Sequence, residues 1–273
     1  MNILEVTNLN SENLRLYSLT SEVQLLRYNE PKPGLFIAES AKVIMRAMEK
    51  GYKPVSVLVD NALLDNYEIK QMFDILPKEQ DFTIYTADNS ILKSITGFNL
   101  TRGVLSIMQR RNEKAADEIL AGSQKIAVLD DVENPTNLGA IFRSAAAMGL
   151  DAVLLTKGCS DPLYRRAIRV SMGTVFNIPW AFIPEDEFYP EYLKRQGFET
   201  LAMALKSDSI PISDLRLREY EKIAIVLGNE GMGLSDKIID ACTHRVIIPM
   251  YNAVDSLNVA AASAVAFWEL RRK

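Results

Sequence analysis

The second half of the chain alternates continuous apolar runs with segments of helical periodicity, and this alternation constrains the fold more than any other feature. The strand-like runs are KIAVLD, DAVLLT, FETLAMAL, KIAIVLG and HRVIIPM. A strand that is apolar along its whole length is buried on both faces, which is typical of a parallel sheet covered by helices. The sequence therefore predicts an α/β domain with a parallel sheet between two helical layers.

The first part of the chain shows the same alternation on a smaller scale. The runs GLFIA, PVSVLVD, DFTIYT and GVLSIMQ read as strands, and AKVIMRAMEK and EIKQMFDIL read as helices. A charged and polar stretch separates this part from the next apolar strand. We predict a smaller N-terminal α/β domain at 1–110, a linker at 111–123 and the larger domain at 124–273.

The composition excludes several kinds of chemistry. The chain has one histidine, His244, and two cysteines, Cys159 and Cys242, which lie far apart in the sequence. A zinc site needs about four closely spaced ligands, and a serine hydrolase of the GxSxG type needs that motif, which is missing here. We therefore expect neither a metal nor a histidine-based hydrolase.

The sequence also indicates the cellular compartment of the protein and the kinds of partner that it can bind. No apolar run approaches the roughly 18 residues of a membrane span, and the N-terminus does not resemble a signal peptide. We expect a cytoplasmic protein without membrane contact. The net charge of −4 does not indicate nucleic acid, so any RNA contact must come from local basic clusters.

A first candidate motif, NPTNLGAIFRS at 134–144, follows the strand that ends at Asp130. Pro135 and Asn137 suit the entry into a helix. Arg143 follows Asn137 by about 1.7 helical turns, which puts the two on roughly opposite sides of an ideal helix. They can share a site only if Asn137 precedes the helix; otherwise Arg143 is an ordinary solvated residue.

A second motif, LGNEGMGLS at 227–235, directly follows an apolar strand. Its glycines favour a tight turn at the carboxyl end of the strand, where open α/β sheets bind ligands. The spacing GxxGxG matches neither the dinucleotide fingerprint nor the phosphate-binding P-loop. The turn is therefore either an ordinary loop or a ligand site of another kind.

A third motif, IIPMYNAVDSLNVAAA at 247–262, leads into the terminal helix. Asp255 or Ser256 is predicted to cap this helix, with Asn258 in its first turn. Capping alone would explain Ser256. The small residues that follow allow another backbone to pack closely.

In this order, the three motifs resemble those of the SpoU (TrmH-type) RNA 2′-O-ribose methyltransferase family of the SPOUT superfamily. The resemblance covers 124–273 and includes the stretch 160–173. It implies a deep trefoil knot in the C-terminal domain. The N-terminal domain is similar to the RNA substrate-binding domain of many members, which resembles ribosomal protein L30e.

The resemblance also implies the activity. Such an enzyme transfers a methyl group from S-adenosylmethionine to a ribose 2′-hydroxyl of RNA, and the separate N-terminal domain favours ribosomal over transfer RNA. Family members are homodimers that build each site from both subunits. The implied catalytic residues are Asn137, Arg143, Glu230, Ser256 and Asn258. The implied cofactor-binding residues are Leu227, Gly228, Asn229, Gly231, Ile248, Met250 and Leu257.

Two roles follow from charge. Arginine stays protonated, so Arg143 is expected to stabilise negative charge on the 2′-oxygen rather than act as a base, with Glu230 orienting Asn137 or Arg143. The best local basic cluster is Arg165, Arg166 and Arg169, which either binds RNA phosphates or forms a solvated helix face.

Two alternatives remain from the sequence. A nicotinamide- or nucleotide-binding enzyme could use a similar sheet, although both phosphate fingerprints are missing. A non-catalytic RNA-binding protein could use the same scaffold. Affinity for S-adenosylmethionine separates both alternatives from the methyltransferase.

Overall fold

The chain divides into two compact units. The computed structural model describes residues 2–8, 12–28, 30, 33–78, 82–96 and 103–271. One unit comprises Met1–Asn112 and Leu163–Phe176, and the other comprises Glu113–Pro162 and Asn177–Lys273. The segment Leu163–Phe176, which the sequence-based boundaries assign to the second domain, thus packs with the first unit. The boundaries at 110 and 123 stay a prediction.

The described part of the first unit contains a mixed five-stranded sheet in the order β1-β4-β3-β5-β2. The strands are β1 (Asn2–Glu5), β2 (Leu35–Glu39), β3 (Lys53–Asp60), β4 (Thr83–Ala87) and β5 (Val104–Gln109). β5 is antiparallel to β2 and β3, while β4 is parallel to β1 and β3. The helices before the second unit are α1 (Arg15–Ser18), α2 (Glu22–Leu26), α3 (Ala41–Glu49), α4 (Tyr67–Ile75) and α5 (Asn89–Thr96).

The described part of the second unit contains a seven-stranded sheet in which every pairing is parallel, which confirms the predicted parallel sheet. Its order is β10-β12-β9-β11-β6-β7-β8. The strands are β6 (Lys125–Leu129), β7 (Ala152–Leu155), β8 (Trp180–Phe182), β9 (Glu199–Met203), β10 (Ile210–Pro211), β11 (Ile223–Leu227) and β12 (His244–Ile247). The remaining helices are α6 (Ala116–Leu120), α7 (Pro135–Ala147), α8 (Arg165–Val170, in the first unit), α9 (Tyr189–Arg195), α10 (Asp236–Ala241) and α11 (Val259–Leu270).

Helices cover both faces of this parallel sheet. On one face, α6, α9 and α10 bury apolar side chains in a cluster with alternate residues of the strands, such as Ile126 and Val128. On the other face, α7 and α11 pack against each other and against β7 and β11. All residues of β11 are buried, as its continuous apolar run predicts. None of the helices within the described residues is long and apolar enough to span a bilayer.

The starts of α7 and α11 differ from the sequence-based expectation. α7 begins at Pro135, because the side chain of Asn134 accepts the Thr136 amide at 2.8 Å and caps it. Asn137 therefore lies within the first helical turn and not on a preceding loop. α11 is capped by Asn258, whose side chain accepts the Ala260 amide. The prediction that Asp255 or Ser256 caps this helix is wrong. The side-chain oxygen that accepts the free amide of Ala260 belongs to Asn258, and both predicted residues lie before it in the chain.

Ser40 carries backbone strain between β2 and α3. Its φ of 83° and ψ of 144° lie in a region that is almost restricted to glycine. Its side chain is buried, and the Ser40 Oγ has no hydrogen-bond partner among the described residues. Both the backbone and the hydroxyl therefore destabilise the folded first unit at this position.

We predict that Ser40→Gly stabilises the first unit. Relief of a strained φ/ψ is worth ~1–3 kcal/mol, and the greater freedom of glycine in the unfolded chain offsets about 0.4–1 kcal/mol of this. Urea unfolding followed by circular dichroism measures the change. Ser40→Ala is the control, since it removes the buried hydroxyl but keeps the strained Cβ, and it should gain less. Equal stabilities of Ser40→Gly and wild type would contradict the assignment of strain.

Candidate active site

A cavity of about 330 Å³ opens at the carboxyl end of the parallel sheet, where β9, β11 and β12 end side by side. This volume lies at the lower end of the range for small-molecule sites. All seven residues predicted to bind the cofactor line it: Leu227, Gly228, Asn229, Gly231, Ile248, Met250 and Leu257. Three of the predicted catalytic residues, Glu230, Ser256 and Asn258, also line it. The second and third motifs therefore share one cavity.

The glycine turn after β11 is folded back tightly on itself. A Cβ on Gly228 would lie 2.5 Å from the carbonyl carbon of Gly233 and 2.6 Å from the amide nitrogen of Leu234. Only glycine permits this approach of two backbones. A Cβ on Gly231 would meet only the Asn229 side chain at 3.5 Å, an ordinary contact. Within the turn, the close backbone thus requires glycine at Gly228 and the φ of 67° favours it at Gly233, whereas Gly231 has room for a side chain.

Asn229 holds this turn in place. Its Oδ1 accepts the amides of Gly231 at 2.8 Å and Met232 at 3.1 Å, and its Nδ2 donates to the carbonyl of Asp131 at 2.9 Å. Asp131 in turn accepts a hydrogen bond from the Thr156 hydroxyl at 2.9 Å. The turn is therefore tied to the ends of β6 and β7, and the side chain of Asn229 acts on the backbone.

A chain of polar side chains joins the three motifs. Asn137 donates from Nδ2 to Oε1 of Glu230 at 3.0 Å, and Asn258 donates from Nδ2 to Oδ1 of Asn137 at 3.2 Å. Asn258 also accepts the Ala260 amide at 3.0 Å as the cap of α11. The contact expected between Glu230 and Asn137 is thus present. It sets the direction of both side chains, and Glu230 also lines the cavity.

Arg143 lies apart from this cluster. It is exposed on α7, and none of the described residues forms a hydrogen bond or ion pair with it. Because Asn137 lies inside the same helix, the two side chains point in different directions, and the condition for their sharing a site in one chain is not met. The structure brings together the other four predicted catalytic residues but not Arg143.

Several lining residues were missed by the sequence analysis. Met203 is the last residue of β9 and Ala204 and Leu205 follow it; all three line the cavity, as do Asp255 and Ala262. The rule that ligands bind at the carboxyl ends of parallel strands could have found the β9 residues. Asp131 and Thr156 belong to none of the three motifs, so only the tertiary contacts show that they support the turn after β11.

The basic cluster on α8 belongs to the first unit. Arg165 donates from Nε and Nη2 to Oε2 of Glu39 at 3.2 and 3.1 Å, and the two side chains are only 19% and 10% exposed. Arg166 is exposed and Arg169 is half-buried. The charge of Arg165 is therefore compensated by a carboxylate of its own unit. Arg166 is the most exposed of the three arginines.

A half-buried carboxyl group anchors α9 beside the site. Burial raises the pKa of Asp130, which directly follows β6, and a 3.0 Å hydrogen bond from the Tyr189 hydroxyl opposes this rise. Burial also raises the pKa of Tyr189, so its hydroxyl remains a donor. The pair links α9 to the edge of the sheet that carries the cavity.

The donors around the cavity suit an organic ligand with an adenosyl group. Apolar side chains such as Leu227, Ile248 and Leu257 provide flat walls, and the turn provides backbone amides and carbonyls nearby. Among the described residues, no group of three or more histidine, cysteine, aspartate or glutamate side chains could hold a metal ion.

Comparison with known proteins agrees with this geometry. A profile described as the SpoU rRNA Methylase family matches residues 124–268. An uncharacterized tRNA/rRNA methyltransferase of Mycobacterium bovis is 36% identical over 240 residues, which cover 88% of this chain and 81% of the relative. The 23S rRNA (guanosine(2553)-2′-O)-methyltransferase RlmP of Bacillus subtilis is 33% identical over 57% of this chain and 61% of its own length.

A solved structure extends the likeness to the whole chain. The AdoMet-bound rRNA methyltransferase of Sinorhizobium meliloti superposes with a TM-score of 0.81, covering 98% of this chain and 97% of that protein at 23% identity. At this identity the likeness shows the fold. The family match and the Mycobacterium relative also show the family to which the chain belongs.

The fold and the site define a methyltransferase that uses S-adenosylmethionine. The chain belongs to the SpoU family of RNA 2′-O-methyltransferases, as its three motifs predict.

We predict that Gly228→Ala weakens S-adenosylmethionine binding about 5- to 150-fold, because the added methyl group forces the turn open at an overpacking cost of ~1–3 kcal/mol. Isothermal titration calorimetry measures the affinity, and circular dichroism checks the fold. Gly122→Ala is the control, since a Cβ there meets nothing within 4 Å. Unchanged affinity in Gly228→Ala would show that the close backbone approach does not shape the cavity.

Proposed function

We propose that this chain methylates a ribose 2′-hydroxyl of ribosomal RNA, with S-adenosylmethionine bound in the cavity of the second unit. The observation that carries the proposal is the convergence of all seven expected cofactor residues on one cavity, beside the polar chain Glu230–Asn137–Asn258. The choice of ribosomal RNA is supported by the Bacillus relative, which acts on 23S rRNA. Such a substrate would place the reaction in the cytoplasm.

The residues of the cavity have separate tasks in this proposal. Leu227, Ile248 and Leu257 hold the adenosyl group, and the backbone of the Gly228 turn binds its polar edge. When bound, the cofactor supplies an electrophilic methyl group on its sulfonium. Asn258 and Ser256 orient the segment before α11, and Glu230 fixes the direction of Asn137.

The acceptor needs help, because the pKa of an alcohol lies far above neutral pH. As the 2′-hydroxyl gives up its proton, negative charge develops on its oxygen, and the permanently charged guanidinium of Arg143 stabilises that charge. An RNA phosphate accepts the proton. Arg143 thus acts through electrostatics and needs no change of its own protonation state.

Arg143 does not line the cavity of its own chain, so we propose that it serves the cavity of a second copy in a homodimer. Exposed apolar side chains on α11, Val265 at 40% and Trp268 at 55%, are available for such an interface. The small residues of α11 allow close packing of a partner helix.

The finer features of the fold complete the proposal. The C-terminal chain would be threaded as a deep trefoil knot, which is supported by the parallel sheet order and by the packing of α11 on α7. The first domain, at 1–110, would resemble ribosomal protein L30e and bind the RNA substrate. The α8 cluster of Arg165, Arg166 and Arg169 would add phosphate contacts, mainly through Arg166.

We predict that Arg143→Ala lowers the rate of methyl transfer at least about 100-fold and leaves S-adenosylmethionine affinity within twofold of wild type. Arg143→Lys keeps the charge but loses the planar fork, so it should recover part of the rate. Single-turnover kinetics with tritiated cofactor and calorimetry provide the two readouts. Loss of cofactor affinity with normal turnover at saturation would contradict the proposed role.

Mixing two impaired variants tests the shared site. In a dimer of Arg143→Ala with Gly228→Ala, one cavity is intact and faces an intact Arg143. An equimolar mixture that has exchanged subunits should therefore recover about a quarter of wild-type activity, at a cofactor concentration too low to load Gly228→Ala. No recovery would place Arg143 in the site of its own chain.

The RNA class is tested in cells. Deletion of the gene should remove one 2′-O-methyl group from ribosomal RNA, and ribose-methylation mapping of ribosomal and transfer RNA detects it. Restoration by wild type but not by Arg143→Ala is expected. A methyl group lost from transfer RNA instead would refute the ribosomal assignment. RNA binding with no methyl transfer to any RNA would favour the non-catalytic alternative.

A further inference from the structure

An exposed tyrosine stands on a tight turn directly beside the proposed cofactor cavity. The amide of Val254 donates to the carbonyl of Tyr251 at 3.2 Å, and the two central residues, Asn252 and Ala253, have φ values of 56° and 55°. Positive φ at both central positions is the pattern of a type I′ turn. Asparagine adopts this conformation readily, but alanine seldom does. The hydrogen bond and the two positive φ angles therefore define the backbone conformation of the turn on which Tyr251 lies.

The position of the turn is set by its neighbours in the chain. Met250 precedes it and Asp255 follows it, and both line the cavity. Since neighbouring Cα atoms are about 3.8 Å apart, the turn projects from the rim of the cavity. A nucleotide whose ribose reaches the cavity mouth would therefore have its own base, or the next one, within reach of this turn.

The ring of Tyr251 is presented to solvent. The residue is 81% exposed, and its side chain forms no hydrogen bond or ring contact with any described residue. Val254 on the same turn is 50% exposed, and Leu257 beyond it is 38% exposed. An aromatic face and apolar neighbours are thus available to a ligand without rearrangement of the chain's own contacts.

The charge and the residue types around Tyr251 determine which part of an RNA this segment can bind. Residues 248–258 contain no lysine or arginine and one carboxylate, Asp255. Such a segment repels phosphate, whereas an exposed tyrosine ring stacks on any nucleobase. We infer that Tyr251 is a stacking platform for a nucleobase at or next to the methylated nucleotide. This inference rests on the proposed RNA substrate.

A second copy of the chain fits this surface less well than a base does. A stable protein interface needs about 20–30 residues on each side, and the dimer proposed above would use α11 for it. The exposed apolar surface of this turn comes from Tyr251, Val254 and Leu257, and one unstacked base matches the area of one tyrosine ring. A dimer contact made by Tyr251 would instead appear as dissociation of the dimer by Tyr251→Ala.

The test compares three variants in the full-length protein. Tyr251→Ala removes the ring, Tyr251→Phe keeps it, and Val254→Ala removes a neighbouring exposed apolar side chain from the same turn. The affinity for unmodified 23S ribosomal RNA, transcribed in vitro, is measured by filter binding without cofactor. S-adenosylmethionine affinity and sedimentation velocity are measured in parallel.

Stacking predicts about 5- to 100-fold weaker RNA affinity for Tyr251→Ala, near-normal affinity for the other two variants, and unchanged cofactor affinity in all three. Unchanged RNA affinity in Tyr251→Ala would overturn the inference, as would an equal loss in Val254→Ala. Dissociation of a dimer by Tyr251→Ala would overturn it in favour of an interface between copies. Because the binding assay needs no turnover, a wild-type protein that binds RNA without methylating it would refute the proposed function but not the stacking platform.

Discussion

The contact between the backbone of Gly228 and that of Gly233 and Leu234 is the constraint from which the site follows. It folds the chain back at the end of β11, where a Cβ on Gly228 would lie 2.5 Å from the opposite backbone. This fold makes the turn short enough for the side chain of Asn229 to bind two of its amides and still reach the Asp131 carbonyl. The turn lines the cavity together with residues from the ends of β9 and β12.

The same geometry explains why three separated motifs act together. The carboxyl ends of neighbouring parallel strands meet at one edge of the sheet, so segments far apart in sequence become neighbours there. Glu230 comes from the turn after β11, Asn137 from the first turn of α7, and Asn258 from the cap of α11. Each link also stabilises a helix start or a turn. The side-chain amides of Asn137 and Asn258 therefore stabilise the local structure and also belong to the predicted catalytic cluster.

Much of the fold was predictable because the buried strands carry continuous apolar runs. β6, β7, β9, β11 and β12 were all expected, and all are present. β1 was not expected, since all four of its residues are exposed and no burial pattern marks it. α10 was also missed, because its six residues are too few to show helical periodicity. Likewise, the cap of α11 was predicted at Asp255 or Ser256 but is Asn258, because all three residue types cap helices well and the sequence does not distinguish them.

The sequence by itself determined the family, the parallel sheet and the part of the cavity lining that belongs to the motifs, because these depend on local patterns: apolar runs, a glycine turn and an ordered set of motifs. Only the tertiary structure decided which residues meet. It placed Asn137 inside α7 and Arg143 away from the cavity, paired Arg165 with Glu39, and put Tyr251 on an exposed turn at the rim. These outcomes depend on helix starts and on contacts between distant segments. A difference of one or two residues in a helix start rotates a side chain by 100° or more, and no local pattern specifies that difference.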